Sequence, residues 1–384
     1  MRNKSMLRKM TGKRAGRVLL AAMMAAGLLT GCQNASVIGG ADGPTSVFIV
    51  GKSGNTGMGD AETSQDTDGQ AGDGTVYKVG IVQFVDDASL NQINSALCAQ
   101  LDAKGTELGV TFDYGDYSFN GQADSTMLNQ IAEQLVAEEV DVIVPIATPA
   151  AVIMQAATED TGIPVVFSAV SDPVGAKLVA SLETPGSNVT GTSDALNTEA
   201  VMDLMFAADP EIKTVGLLYN KSEDSSKKPI EDAKAYCLEK NVEVVEKTGT
   251  TNDEVMLAAD ALVAAGVDAV FTPTDNTVMT AELAIYEKFA EAEIPHYGGA
   301  DSFALNGAFC GYGVNYVELG EATADMVADI LVNGKDPAAV PVVSLDNGIA
   351  TVNTDTAQAI GLDYSVFEGM CSELREITTA KEFE

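Results

Sequence analysis

The chain has 384 residues, 46% of them hydrophobic, with 56 acidic against 22 basic side chains and a formal net charge of −34. That apolar content is enough to build two medium-sized cores, which excludes a wholly disordered chain. The acidic excess excludes nucleic acid and anionic lipid surfaces as charge-driven partners.

Residues 1–31 carry seven basic side chains and no acidic one, and pass into the apolar run VLLAAMMAAGLLTG. This is the outline of a signal peptide, too short for a spanning helix of about 20 residues. The run ends in Leu29-Thr30-Gly31-Cys32, which resembles the bacterial lipobox. That resemblance implies a diacylglycerol on Cys32 and a membrane-anchored mature chain, whose net charge becomes −41 once the seven basic residues are removed.

Beyond Cys32 lies ASVIGGADGPTSVFIVGK at 35–52, with a Gly39-Gly40 pair, an Asp42-Gly43-Pro44 turn and a short strand pattern. Residues 53–75 are dominated by Gly, Asp, Thr and Ser and read as a flexible linker, so 32–75 is expected to be a tether.

From Val76 the pattern alternates. YKVGIVQF is a buried strand, LNQINSALCAQLDAKG a helix expected to close at Gly105, and VTFDYG a strand. A helix over ADSTMLNQIAEQLVAEE, the strand VDVIVPI, a helix over PAAVIMQAATEDTG and the strand IPVVFSA follow. Continuous Val/Ile strands separated by helices predict a parallel sheet covered on both faces. The order then recurs. KVGIVQFVDDA returns as TVGLLYNKSED, VDVIVPIATPA as VDAVFTPTDNT and GIPVVFSAVSD as EIPHYGGAD, at offsets of about 136, 127 and 131 residues. Duplication predicts an α/β protein of two similar Rossmann-like lobes with a ligand cleft between them. The expected division is 76–192 plus about 307–337 for lobe 1, and 193–306 plus about 338–384 for lobe 2.

Six ordered stretches, IVPIATPAAVIMQ, PVVFSAVSDPVGAKLV, PGSNVTGTSD, GLLYNKSEDSS, FTPTDNTV and GYGVNYVELGEATADM, lie between about Tyr77 and Asp363. Together they resemble the tryptophan/tyrosine-type group of ABC-transporter substrate-binding lipoproteins. The resemblance implies a type I periplasmic-binding-protein fold, a small solute, usually an aromatic amino acid, closed between the lobes, and an ABC permease with its ATPase as partners. It departs from that pattern at QFVDDASLNQ, where Asp86 and Asp87 replace a more neutral stretch, so a nucleoside or sugar solute and a sensing role stay open. GGADGPT also resembles a signature of the β subunits of sodium-translocating decarboxylases, but ion transport does not carry over to a chain with no spanning segment after its leader.

An amino acid needs donors for its carboxylate, acceptors for its ammonium and an apolar wall. In lobe 1 the candidates are Thr148, expected to cap the helix after VIVPI and to offer its N–H groups to a carboxylate, with Ser168 and Ser171. In lobe 2 they are Asn220, Ser222, Glu223 and Asn276, with Asp275 as the preferred ammonium partner and Asp301 second. Phe84, Tyr219 and Tyr312 are the candidate aromatic walls.

No cofactor or metal motif stands out. Cys98, Cys237, Cys310 and Cys371 are widely spaced without CxxC, His296 is the only histidine and has no catalytic setting, and GYGVNY lacks the third glycine of a dinucleotide loop. The chain is therefore read as a binding protein, with an enzyme on the same scaffold as the competing class.

Overall fold

The computed structural model describes residues 74–345 and 348–383. The expected leader, the lipidation site Cys32 and the GGADGPT stretch lie outside the described residues.

Lobe 1 opens with β1 (Val76–Gln83), α1 (Ala88–Leu108), β2 (Thr111–Asp113), β3 (Ser118–Asn120), α2 (Ser125–Ala137), β4 (Val142–Ile146), α3 (Thr148–Thr158), β5 (Val165–Phe167) and β6 (Val189–Ser193). Lobe 2 follows with α4 (Thr198–Ala208), β7 (Thr214–Tyr219), α5 (Asp224–Lys240), β8 (Glu243–Thr248), α6 (Asn252–Ala265), β9 (Ala269–Thr272), α7 (Asn276–Glu291), β10 (His296–Gly298), α8 (Asp301–Leu305) and β11 (Cys310–Gly313). The chain then runs through α9 (Tyr316–Leu331), β12 (Val343–Ser344), β13 (Ile349–Asn353), α10 (Thr354–Ile360) and β14 (Glu373–Ile377).

Two sheets result, as the duplication predicts. The first has the order β12-β6-β5-β4-β1-β2, with β3 also pairing β1, and all its ladders are parallel. The second has the order β14-β13-β11-β10-β9-β7-β8, parallel except where β13 runs against β11. Strands such as β4 are buried along their whole length because helices cover both faces.

The division of the tail differs from the sequence expectation. β11, placed in lobe 1 by the 307–337 boundary, belongs to the second sheet, whereas α9 just after it packs on α1 of lobe 1. β12, placed in lobe 2 by the 338–384 boundary, pairs with β6 of the first sheet. The backbone thus passes between lobes three times, after β6, after β11 and after β12. Composition does not reveal these crossings, because short strands on either sheet look alike.

Two glycines shape lobe 1. α1 runs past Gly105 and stops at Gly109, whose φ of 69° is the left-handed cap that glycine reaches without strain. Gly320 on α9 lies against α1 so closely that a Cβ would sit 2.4 Å from the Ile93 carbonyl oxygen. His296 sits in the lobe 2 core, with Nδ1 3.0 Å from Glu282 Oε1, Nε2 2.8 Å from Thr272 Oγ1, and the rings of Phe289 and Phe303 on either side. It is a satisfied structural residue, as its sequence setting suggested. Cys98, Cys237, Cys310 and Cys371 are free thiols.

Candidate functional site

The C-terminal ends of the parallel strands of both sheets face a common cleft, where open α/β sheets bind ligands. Two cavities lie there. The larger, of about 630 Å³, is lined from lobe 1 by Phe84, Leu128, Thr148, Pro149, Val152 and Ile153 and from lobe 2 by Asn220, Ser222, Glu223, Thr251, Asn276 and Thr277. The narrower one has a volume of about 10 Å³ and reaches Ser89, Ser171, Asp194, Ser225, Thr274 and Tyr316. Thr148 and Asn276 border both, so the two spaces meet between the starts of α3 and α7.

Six of the expected residues, Phe84, Thr148, Asn220, Ser222, Glu223 and Asn276, line the larger cavity, and Ser171 lines the narrower one. Phe84 packs partly buried against the lobe 1 core, which fixes its ring as a wall. Asn220 makes a tight turn, accepting from the Ser222 N–H at 2.9 Å, and its Nδ2 donates to Thr277 Oγ1 at 2.9 Å. Thr148 differs from expectation in its role. The N-cap of α3 is Ala147, held at φ 81° and ψ 152° with no side-chain cap, and Thr148 is the first helical residue. A non-glycine residue in that region stores strain on the order of 1–3 kcal/mol and needs its surroundings to hold it there. Thr148 itself is 3% exposed and its hydroxyl has no hydrogen-bond partner.

Glu223 is buried. Its Oε1 accepts from the Thr277 N–H at 2.9 Å and the Thr277 hydroxyl at 2.7 Å, and its Oε2 from the Asn276 N–H at 3.0 Å and Asn276 Nδ2 at 2.9 Å. A carboxylate placed on a helix N-terminus is favoured by the helix dipole.

Five expectations are corrected. Asp275 is the N-cap of α7: Oδ1 accepts from the Val278 N–H at 3.0 Å, and Oδ2 from the Asn220 N–H and the Ser226 hydroxyl, each at 2.6 Å. It is wholly buried and borders neither cavity, and burial together with the nearby Glu223 pushes its carboxyl up to about 8. Asp301 accepts from the Ser89 hydroxyl at 2.5 Å and Gln92 Nε2 at 3.1 Å, both on α1, so it joins the lobes beside the cleft instead of lining it. Ser168 lies inside lobe 1, 2.9 Å from Thr323 Oγ1 and 3.3 Å from Thr192 Oγ1. Tyr312 is buried in the lobe 2 core, as is Tyr219, whose hydroxyl donates to Glu246 at 2.8 Å.

The sequence reading missed Asp194, at the end of β6. It is buried at the narrow cavity, accepts from the Ser171 hydroxyl at 3.0 Å, and burial pushes its carboxyl up to about 6. The strand-end rule that singled out Ser171 applies equally to it. Asp87 caps α1 by accepting from the Ser89 and Leu90 N–H groups, and burial pushes it up to about 7, with Asp301 adding repulsion.

The family model described as "ABC transporter substrate binding protein" matches residues 78–366. The chain is 32% identical over 317 residues to the "Tyrosine-binding protein" of Clostridioides difficile, covering 82% of this chain and 88% of that protein. It is also similar to the ABC domain from Streptococcus pneumonia solved in complex with L-Trp, at 31% identity and a TM-score of 0.72, with 78% of this chain and all of that chain covered. A solute-binding protein from Bacillus halodurans holding myo-inositol, at 17% identity and a TM-score of 0.55 over 76% of this chain and 99% of that one, shares the fold.

Proposed function

The chain belongs to the ABC transporter substrate-binding proteins and is the solute-binding component of such a transporter, and from that premise we propose that its solute is an aromatic amino acid held between the two lobes. The observation that carries this reading is the cavity of about 630 Å³ at the strand ends, lined by both lobes, with Phe84, Leu128, Val152 and Ile153 on one side and hydrogen-bonding side chains on the other. Such a mixture of an apolar wall and a few placed polar groups suits one amino acid with a flat side chain. The tyrosine- and tryptophan-binding character of two relatives supports the same class.

In this reading Phe84 packs on the solute ring, and Thr148, Ser171, Asn220, Ser222 and Asn276 offer hydrogen bonds. Glu223 borders the solute from lobe 2. A solute touching both lobes favours the closed arrangement, since only that state makes all the contacts. The closed form then docks on the permease, which with its ATPase moves the solute inward. Proteins of this family work outside the cytoplasm. Residues 1–31 act as the leader, and the lipid on Cys32 holds the protein at the outer face of the membrane. Among the described residues no helix is long and apolar enough to cross a membrane.

The test is a thermal-shift screen of the purified protein against amino acids, nucleosides and sugars. Saturable stabilisation by L-tyrosine or L-tryptophan is expected. A shift with nucleosides or sugars alone would sink the aromatic amino acid assignment. Loss of metabolic palmitate labelling in a Cys32→Ala variant checks the anchor.

A further inference from the structure

The two lobes meet beside the cavities as well as around them. α3 of lobe 1 packs on α5 of lobe 2, so the lobes stand in a closed arrangement. A second contact joins the start of α1 in lobe 1 to the start of α8 in lobe 2. There the Ser89 hydroxyl donates to Asp301 Oδ1 at 2.5 Å, Gln92 Nε2 donates to Asp301 Oδ2 at 3.1 Å, and the Ser302 N–H donates to Ser89 Oγ at 3.2 Å.

Ser89 also serves a second carboxyl. Its N–H donates to Asp87 Oδ1 at 2.9 Å, beside the Leu90 N–H at 3.3 Å. One serine thus stands between an aspartate of lobe 1 and an aspartate of lobe 2. Asp87, Ser89, Asp301 and Ser302 are all buried, and neither aspartate borders either cavity. Two like charges held close in a water-poor junction are costly to keep ionised together.

The surroundings do little to relieve them. Tyr316 on α9 is buried among Asp87, Asp301 and Asp194 of the β6 end, and burial with these three carboxyls holds its phenol well above the ordinary value. Asp86 and Glu382 both accept from Asn91 Nδ2 on the same end of α1, which adds negative charge on the outer side. Among the described residues the one cation facing the pair is Arg375 on β14. It draws Asp301 down, yet its guanidinium is held by Glu373 at 2.9 and 3.1 Å and also faces Glu318. Burial outweighs it and raises both carboxyls, Asp87 to about 7 with Asp301 adding repulsion.

We propose that Asp87 and Asp301 form a proton-operated junction between the lobes, in which the pair takes up a proton from the medium as the lobes close on a solute and returns it as they part. Opening draws α8 off α1, admits water to both carboxyls and separates their charges, so both ionise. Closure expels that water, and the proton removes the repulsion. The closed form binds the proton more tightly, so closure is favoured at low pH and weakened as pH rises through about 7. A solute is therefore held more firmly in a mildly acidic medium and released more readily in an alkaline one. The junction rests on the closing motion of the proposed function and not on which solute is enclosed.

The experiment is calorimetric titration of the purified protein with L-tyrosine in pairs of buffers that differ in ionisation enthalpy, which counts the protons accompanying binding. About half a proton or more should be taken up per solute at pH 6.5 and almost none at pH 8.5, with Kd rising by up to about tenfold between pH 6 and pH 8. A double variant, Asp87→Asn with Asp301→Asn, keeps the α1 cap and an acceptor for Ser89. It should bind tyrosine with no proton uptake and a flat pH profile. No uptake by the unmodified protein, or undiminished uptake by the double variant, overturns the proposal.

Small-angle scattering of the solute-free protein in high salt, which screens surface charge, gives a readout that needs no solute. The radius of gyration of the unmodified protein should be smaller at pH 5.5 than at pH 8.5, and the double variant should lose the difference. If neither tyrosine nor tryptophan gives heat, the aromatic reading falls and scattering of the unmodified protein decides the junction by itself. A radius independent of pH would then overturn it.

Discussion

Asp275→Ala separates a capping role from a ligand-binding one. The carboxylate is fully buried and accepts from two main-chain N–H groups and one hydroxyl, at 3.0, 2.6 and 2.6 Å. Truncation leaves those three donors without an acceptor. Loss of a helix N-cap alone costs about 1 kcal/mol, and each buried donor left unpaired about 1–3 kcal/mol. The carboxyl no longer has to be desolvated, which offsets part of this, so a net loss of about 2–4 kcal/mol is expected. At roughly 2.1 cal/mol/K of unfolding entropy per residue over about 300 folded residues, that loss lowers Tm by about 3–6 °C. Scanning calorimetry reads the change, and Asp275→Asn, which keeps one acceptor oxygen, should fall between the two. Tyrosine affinity measured on the same samples should change by less than about threefold, because the side chain borders neither cavity. A hundredfold loss of affinity with an unchanged Tm would refute this and return Asp275 to the role of ammonium partner.

Three further outcomes follow. Phe84→Ala should weaken tyrosine binding by about 1.5–3 kcal/mol, roughly 10- to 100-fold in Kd by calorimetry, since among the described residues its ring is the one aromatic wall of the larger cavity; an unchanged Kd would remove Phe84 from the site. Gly320→Ala should destabilise the protein by about 1–3 kcal/mol in urea melts, because the new Cβ meets the Ile93 carbonyl at 2.4 Å and must push α9 off α1; a neutral effect would mean that the helix pair is looser than described. The pH dependence has a defined sign. Burial raises Asp87 to about 7, Asp194 to about 6 and Asp275 to about 8, and raises Asp301 as well. A carboxyl whose folded pKa is raised binds its proton more tightly when folded, so stability is greatest below the unfolded value of 3.8 and falls as pH rises to the folded value. For Asp87 the window of about 3 units corresponds to at most about 4 kcal/mol. The unliganded protein should therefore melt at higher temperature at pH 5.5 than at pH 8, and Asp87→Asn should reduce the difference; a higher Tm at pH 8 would contradict the burial of these carboxyls as charged groups.

The elements that position the cleft were legible because duplication writes itself into sequence. β4 and β9 repeat, and so do the helix starts that follow them, so the strand ends pointed to Thr148, Asn276 and their neighbours. Orientation was not legible. Asp275 sits one residue from the cavity lining, and its place before Asn-Thr-Val is an N-cap signature that turns the carboxylate inward; position alone cannot distinguish that from a ligand contact. Tyr312 and Ser168 also stand at or near strand ends, yet the first packs into the lobe 2 core and the second bonds to Thr323 on α9. Ala147 hid the true start of α3, since alanine in the left-handed region has no local signal and is held there by the fold. Asp194 lies within reach of the same strand-end rule, which picked out Ser168 and Ser171 after β5 but was not applied to the end of β6. The lobe crossings depend on which sheet a two- to four-residue strand joins, and that is settled by tertiary pairing.

The most direct measurement is a calorimetric titration of the purified protein with L-tyrosine and L-tryptophan, run beside small-angle scattering of the free and saturated forms. A protein that closes on an aromatic amino acid should show saturable one-to-one heat with at least one of them and a smaller radius of gyration when loaded. Absence of heat from both, with the protein folded by its melting profile, would contradict the account.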